Sequence, residues 1–253
     1  MAGVQPAATA GSGWLASHHV LTRPGVAWAA GTAGLLVYNW WVLVPLRPGL
    51  WRSPNELFSN LEVSGRPFAT AMQHADVISG LLLLAAFLAV GAASIRGAQR
   101  EWLAMLVFAA AGALGGLLPE TCADQVSVAC RDRELSLQLP LQQYVHAAAG
   151  ICEFAAITVA LVFAFQRTRG ARTGSARVYR ALITGAVVAY PLLGLAYLVN
   201  RLGGVMEVVF FMGFTVMVLT QLAERTAACH HRASQGQRAR PLIRSGAARG
   251  RSR

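Results

Sequence analysis

YVHAAAGICEFAAITVALVFAF, residues 144–165, decides the fold. Its 22 residues would rise about 33 Å as a helix, enough to cross about 30 Å of hydrocarbon. It holds one carboxylate, Glu153, and one imidazole, His146, and no other ionisable group but Tyr144 and Cys152. Five more runs have the same character: 26–46, 77–95, 102–118, 181–199 and 205–222. Strands of this length and Ala/Leu/Gly content are implausible, and an outer-membrane barrel would show short alternating segments instead. The expectation is an all-α, polytopic bundle of six transmembrane helices. Pro191 falls inside the fifth run, where neighbouring helices can satisfy the freed carbonyl.

Whole-chain composition agrees. Of 253 residues 55% are apolar and 13% charged, with a mean hydropathy of +0.47, against about 25% charge in an average soluble domain. Residues 1–25 read as a short polar N-terminal tail, 26–223 as the six-helix domain, and 224–253 as a basic, disordered cytoplasmic tail. The first apolar run starts too late and is too long for a cleaved signal peptide.

All 22 basic residues are Arg, which suits a GC-rich coding bias. Their placement sets the expected orientation. With the N-terminus inside, 16 Arg fall on the cytoplasmic side and 6 outside, while of the 11 acids only Glu101 and Glu224 lie inside. Both termini are therefore expected in the cytoplasm, with the chain in the plasma membrane. The net charge of +11 does not indicate nucleic acid, because no aromatics interleave the tail arginines to stack on bases. Cys229, His230 and His231 form a fragment of a metal motif and are read as incidental.

In this topology the two long outer loops are 47–75 and 119–143. The second holds Cys122 and Cys130, eight residues apart, expected as a structural disulfide in an oxidising compartment. A zinc pair would want further Cys or His nearby, and a redox pair would more usually be CxxC. Cys152 reads as a small apolar filler.

Ionisable groups inside or bordering spans are costly and so become functional candidates. The outer-face polar cluster comprises His74, Asp76, His146, Glu153, Glu207 and Asn39, with Asn200 at the same end. Such a set can bind a divalent metal, relay protons or recognise a polar head group. Each has a plainer reading beside it. Asp76 and Glu207 would sit at helix N-termini, where the dipole favours acids. His74 would face water, and His146 would bond a loop carbonyl. Glu153 has no capping role and is expected to face the bundle interior, paired or protonated. Gly150 and His146 share its stripe. Gly150 would let a neighbouring helix approach, and Asn39 is the expected partner.

Three passages resemble a bacterial and archaeal membrane family catalogued as domain of unknown function 998. They are FSNLEVSGRPFATAMQHADVISGLLLL entering the second span, GALGGLLPETCAD ending the third, and YVHAAAGICEF opening the fourth. The acid after Pro119 is Glu120 here, with Asp124 behind Cys122. The resemblance implies fold and membrane location and supplies no chemistry. Ser79, Asp76, His74 and His146 are also superficially similar to the zinc sites of the alkaline-ceramidase and progestin-receptor-like superfamily. The sixth span lacks the histidine pair of those proteins.

No GxxxxGKS, GxGxxG, HExxH or GxSxG motif occurs in the chain. The leading expectation is a non-catalytic protein presenting its outer pocket to a membrane lipid head group or another membrane protein, with no cofactor. The alternative is a metal-assisted membrane lipid hydrolase, with zinc held by His74, Asp76 and His146 and Glu207 as ligand or base.

Overall fold

The structure, a computed structural model, describes residues 24–51, 53–91, 95–199 and 201–249, excepting the side chains of 197, 198 and 233–249. Seven α-helices are formed: α1 (Pro24–Tyr38), α2 (Ala69–Val90), α3 (Gln99–Leu117), α4 (Val128–Leu135), α5 (Leu141–Thr168), α6 (Gly174–Leu198) and α7 (Gly203–Arg249). A 3-10 stretch Asn39–Leu46 prolongs α1, and a 3-10 turn Ser59–Glu62 precedes α2. No strand occurs among the described residues. Six helices are long and apolar enough to cross a membrane, α1 with its 3-10 extension counting as one. The residue 1–23 segment and Asn200 lie outside the described residues.

Span edges depart from the apolar runs for local reasons. The second helix begins at Ala69, not 77, because ATAMQHAD is rich in helix-favouring residues although it is not apolar. Phe68, at φ 64°, breaks the backbone just before it, and Gly91, at φ 69°, ends it short of 95. Residues 74 and 76 thus lie in the second turn of a helix rather than at its mouth. In the first span the α-helix stops at Tyr38. There Asn39 Nδ2 donates to Leu35 O at 2.7 Å, and Pro45 further on has no N–H to give. The last helix carries on past 223, where the tail was expected to begin, and Arg225 and Thr226 are buried.

Neighbour contacts run α1–α2–α3–α5–α6–α7 and return from α7 to α1, so the six spans form a ring. Small residues let α2 and α3 meet backbone to backbone. A Cβ on Gly80 would fall 2.5 Å from Ala113 N, and one on Gly116 would fall 2.6 Å from Gln73 O. That is the role expected of GALGG. The apolar core sits in the half of the ring nearer the α2–α3 turn, around Phe87, Met105, Phe108, Met217 and Leu222.

A polar clamp closes this end. Arg167 on α5 donates to Glu101 of α3 through Nε at 2.7 Å and Nη2 at 3.0 Å, and to Glu224 of α7 at 2.7 Å. Tyr179 of α6 donates to the same Glu224 oxygen at 2.8 Å. Gln221 donates to Glu101 at 3.0 Å, and fully buried Arg225 reaches Gln221 and Ala98 O at 3.1 Å each. Four spans are tied by one charge-balanced network. At the opposite end the loops fold inward, and a Cys122–Cys130 disulfide clips α4 to the segment after α3.

Candidate functional site

At the disulfide end the ring encloses a cavity of about 1040 Å³. One wall is the α5 stripe that includes His146, Gly150 and Glu153. A helical period near 3.6 residues places these three on one face of α5. Gly150 has nothing within 4 Å of a would-be Cβ. Contrary to the expectation of close helix packing there, its missing side chain is part of the open space. The close approach falls instead across from Glu153, where a Cβ on Gly112 of α3 would lie 3.3 Å from Oε1.

His146 Nδ1 lies 3.1 Å from both Gly115 O and Leu118 O at the C-terminal end of α3, where Gly115 O also accepts from Leu118 N at 3.2 Å. Carbonyls only accept, so the proton sits on Nδ1 and Nε2 is left towards Glu120 Oε1, 3.7 Å away. The plain reading of His146 as a loop-carbonyl donor therefore describes one of its nitrogens and leaves the other for the cavity.

Asp76 accepts a 2.7 Å hydrogen bond from Trp40 Nε1 and shares a hydrogen bond with the Glu62 carboxyl. Being the eighth residue of α2, it is no helix cap. Glu207, the fifth of α7, accepts from Phe58 N of the first long loop at 2.7 Å, rather than from its own helix. It ties that loop down over the cavity. Glu120 accepts from Ser59 Oγ at 3.1 Å and Asn60 Nδ2 at 2.7 Å. Asn60 also reaches Asp124 at 3.3 Å, so the two long loops lock together through one amide.

Two candidates fall elsewhere. His74 is exposed and does not line the cavity, because two residues along a helix turn through about 200° relative to Asp76. Asn39 exchanges hydrogen bonds with Thr215 at 3.0 and 3.1 Å, pinning α1 to α7. It is therefore not the partner of Glu153. Tyr38, its chain neighbour, is nearer that role. Its buried hydroxyl interacts with the Glu153 carboxyl.

Four acids that were not candidates join the site: Glu62, Glu120, Asp124 and Glu134. They stand outside the spans, where an acid normally meets water, so no rule about charges in spans singles them out. The signals were the crowding of 9 of the 11 acids into one set of segments and, for Glu120 and Asp124, their place after Pro119 in the passage that resembles the family. Seven carboxylates and one histidine line the cavity, and none of the described lining residues is Arg. Arg66, in the first long loop, is engaged by Glu56 at 2.6 Å instead.

Burial acts on the loop acids. It holds the Glu62 carboxyl well above the usual range, with the charge of Asp76 adding to the effect. Burial and then Asp124 push Glu120 up to about 8, against the opposing hydrogen bond from Ser59. Glu134 is raised too, by burial and Asp124. Glu62 is 2% exposed, and its Oε2 has no hydrogen-bond partner.

The rest of the lining is apolar or aromatic, including Tyr38, Trp40, Phe58, Phe154 and Phe211. The cavity reaches the bundle surface between α5 and α6, where its lining residues Ile151 and Val159 are 71% and 44% exposed and face Leu193 and Gly194. Below that gap a Thr158–Tyr190 hydrogen bond draws the two helices together. A smaller slot of about 180 Å³ continues from those residues between α5, α6 and α7.

No three His, Cys, Asp or Glu among the described residues are arranged to hold a metal ion. With His74 outside the cavity, the zinc set His74, Asp76 and His146 does not assemble. Cys229, His230 and His231 do not form one either; the Cys229 thiol lies 3.9 Å from Val90 O.

The model of a family described as protein of unknown function, DUF998, matches residues 29–228. The chain belongs to that family, as the three passages around the site indicated. No curated protein and no solved structure matches.

Proposed function

We propose that this DUF998 membrane protein is a non-catalytic binder of a membrane lipid, which enters sideways between α5 and α6 and seats its head group among the polar residues of the cavity. One observation carries the reading: the cavity is polar at its loop end, apolar along its walls, and bordered on α5 by exposed aliphatic side chains. A water-soluble ligand would be better served by an opening through the loops, yet the loops are locked by Asn60, Glu120 and Glu207. About 1040 Å³ is of the size that binding cavities for small organic ligands reach. The 16-to-6 Arg split supports placing the cavity in the outer leaflet of the plasma membrane, with both termini in the cytoplasm.

The test is lipid retention. Protein purified in an uncharged detergent and weighed intact should carry about one lipid, and Gly150→Phe, which fills the open space beside Glu153, should lose it while remaining folded. Equal lipid on both proteins, or none on either, would overturn the proposal. Reporter fusions at Gly174 and near Gln125 check the orientation, expected inside and outside respectively.

A further inference from the structure

Resting on that reading, we infer that the bound amphiphile has a cationic amine or ammonium head group and no anionic group beside it.

The described lining carries seven carboxylates, one histidine and no Arg. A phosphate-bearing head would meet carboxyl groups on every side and no cationic donor to offset its charge. An ammonium group has only donors to offer, which is what a ring of carboxylates lacks.

A second, independent observation lies at the loop end. Glu62, on the 3-10 turn before α2, is 2% exposed, yet its Oε2 has no hydrogen-bond partner. Buried acceptors are almost always satisfied, so an orphan lining a cavity marks a donor that comes from outside the chain. Its carboxyl also interacts with that of Asp76, itself fixed by Trp40. Two carboxyls that share a proton in the empty cavity form a ready anionic seat once a cation replaces it. Burial and the charge of Asp76 keep Glu62 protonated in the meantime.

The walls fit the same head. Trp40 and Phe58 stand edge to face with centroids 6.0 Å apart, and Tyr38 meets Phe211 at 5.5 Å. Aromatic faces around acids are the usual surroundings of a bound ammonium. An apolar chain would then leave past Ile151 and Val159, with the slot beyond Tyr190 as room for its end.

The experiment uses three probes of equal chain length, dodecylamine, dodecanol and dodecyl phosphate, titrated against the full chain in uncharged detergent and counted by intact-protein mass. Dodecylamine should bind at least tenfold more tightly than the other two. Glu62→Gln should weaken it about tenfold and leave dodecanol unchanged, and Glu207→Gln serves if Glu62→Gln does not fold. Gly150→Phe should abolish binding of all three. If dodecanol or dodecyl phosphate binds as tightly as the amine and Gly150→Phe still blocks it, the cation preference is wrong and the lipid site stands. If no probe is sensitive to Gly150→Phe, both readings fail.

Discussion

The two ends of α5 treat charge in opposite ways. At its C-terminal end Arg167 is held by Glu101 and Glu224, with Tyr179 and Gln221 completing the carboxylates' hydrogen bonds. The Arg167, Glu101 and Glu224 charges there are paired across helices. Towards its N-terminal end, Glu153 and His146 look into a space lined by acids of five other segments and by no Arg. The first arrangement fixes helices to one another and leaves no room for a ligand. The second keeps helices apart and is electrostatically incomplete. One helix therefore carries a lock at one end and a receptor-like basin at the other.

The largest effect is expected at the lock. Arg167→Ala would strand Glu101, which is 1% exposed, and should cost roughly 3–5 kcal/mol in detergent unfolding. A loss below about 1 kcal/mol, the value of an exposed pair, would mean that this end is no lock.

Next comes the disulfide. Cys122→Ser should cost about 2 kcal/mol through the freed loop and should loosen the lid before the spans. Thiol labelling of intact cells is the companion measurement, and labelling of both Cys122 and Cys130 without reductant would rule out the bridge.

Acidity should then separate the ends. Glu120 is raised to about 8 by burial, and Glu62 and Glu134 are raised as well. A carboxyl with a folded pKa above its unfolded one binds more protons when folded. Its contribution is thus greatest at low pH and is lost as pH rises from the normal carboxylate range to about 8. Without ligand, stability should fall by roughly 1–2 kcal/mol between pH 6 and 8 and level off above. Glu120→Gln should flatten the slope, whereas Arg167→Ala should not; an unchanged slope in Glu120→Gln would show that Glu120 is not the group responsible.

The smallest effect has the opposite sign. Glu153→Gln removes one of several like charges and should stabilise the empty protein by about 1 kcal/mol at pH 8, as active and binding sites often trade stability for function. A clear destabilisation, read from the same unfolding curves, would place Glu153 in a satisfied network like that of Arg167.

Legibility varied with the range of the contact. The six spans, the α5 stripe, and the pairing of Cys122 with Cys130 could all be read from residues close in the chain. His74 and Asp76 show the limit, since their grouping as neighbours ignored a helix that begins at Ala69 and turns them to different faces. Asn39 shows another: whether it meets Glu153 or Thr215 depends on how α7 rotates against α1.

What the amino-acid sequence determined by itself is the membrane bundle and the asymmetric distribution of its charges, because hydrophobic length and charge placement act through the bilayer without reference to partners. Only the tertiary structure decided that loop acids such as Glu62 and Glu120 turn inward to meet Asp76 and His146. A loop's course is set by distant hydrogen bonds, here Glu207 to Phe58 and Asn60 to Glu120. No spacing along the chain encodes these bonds.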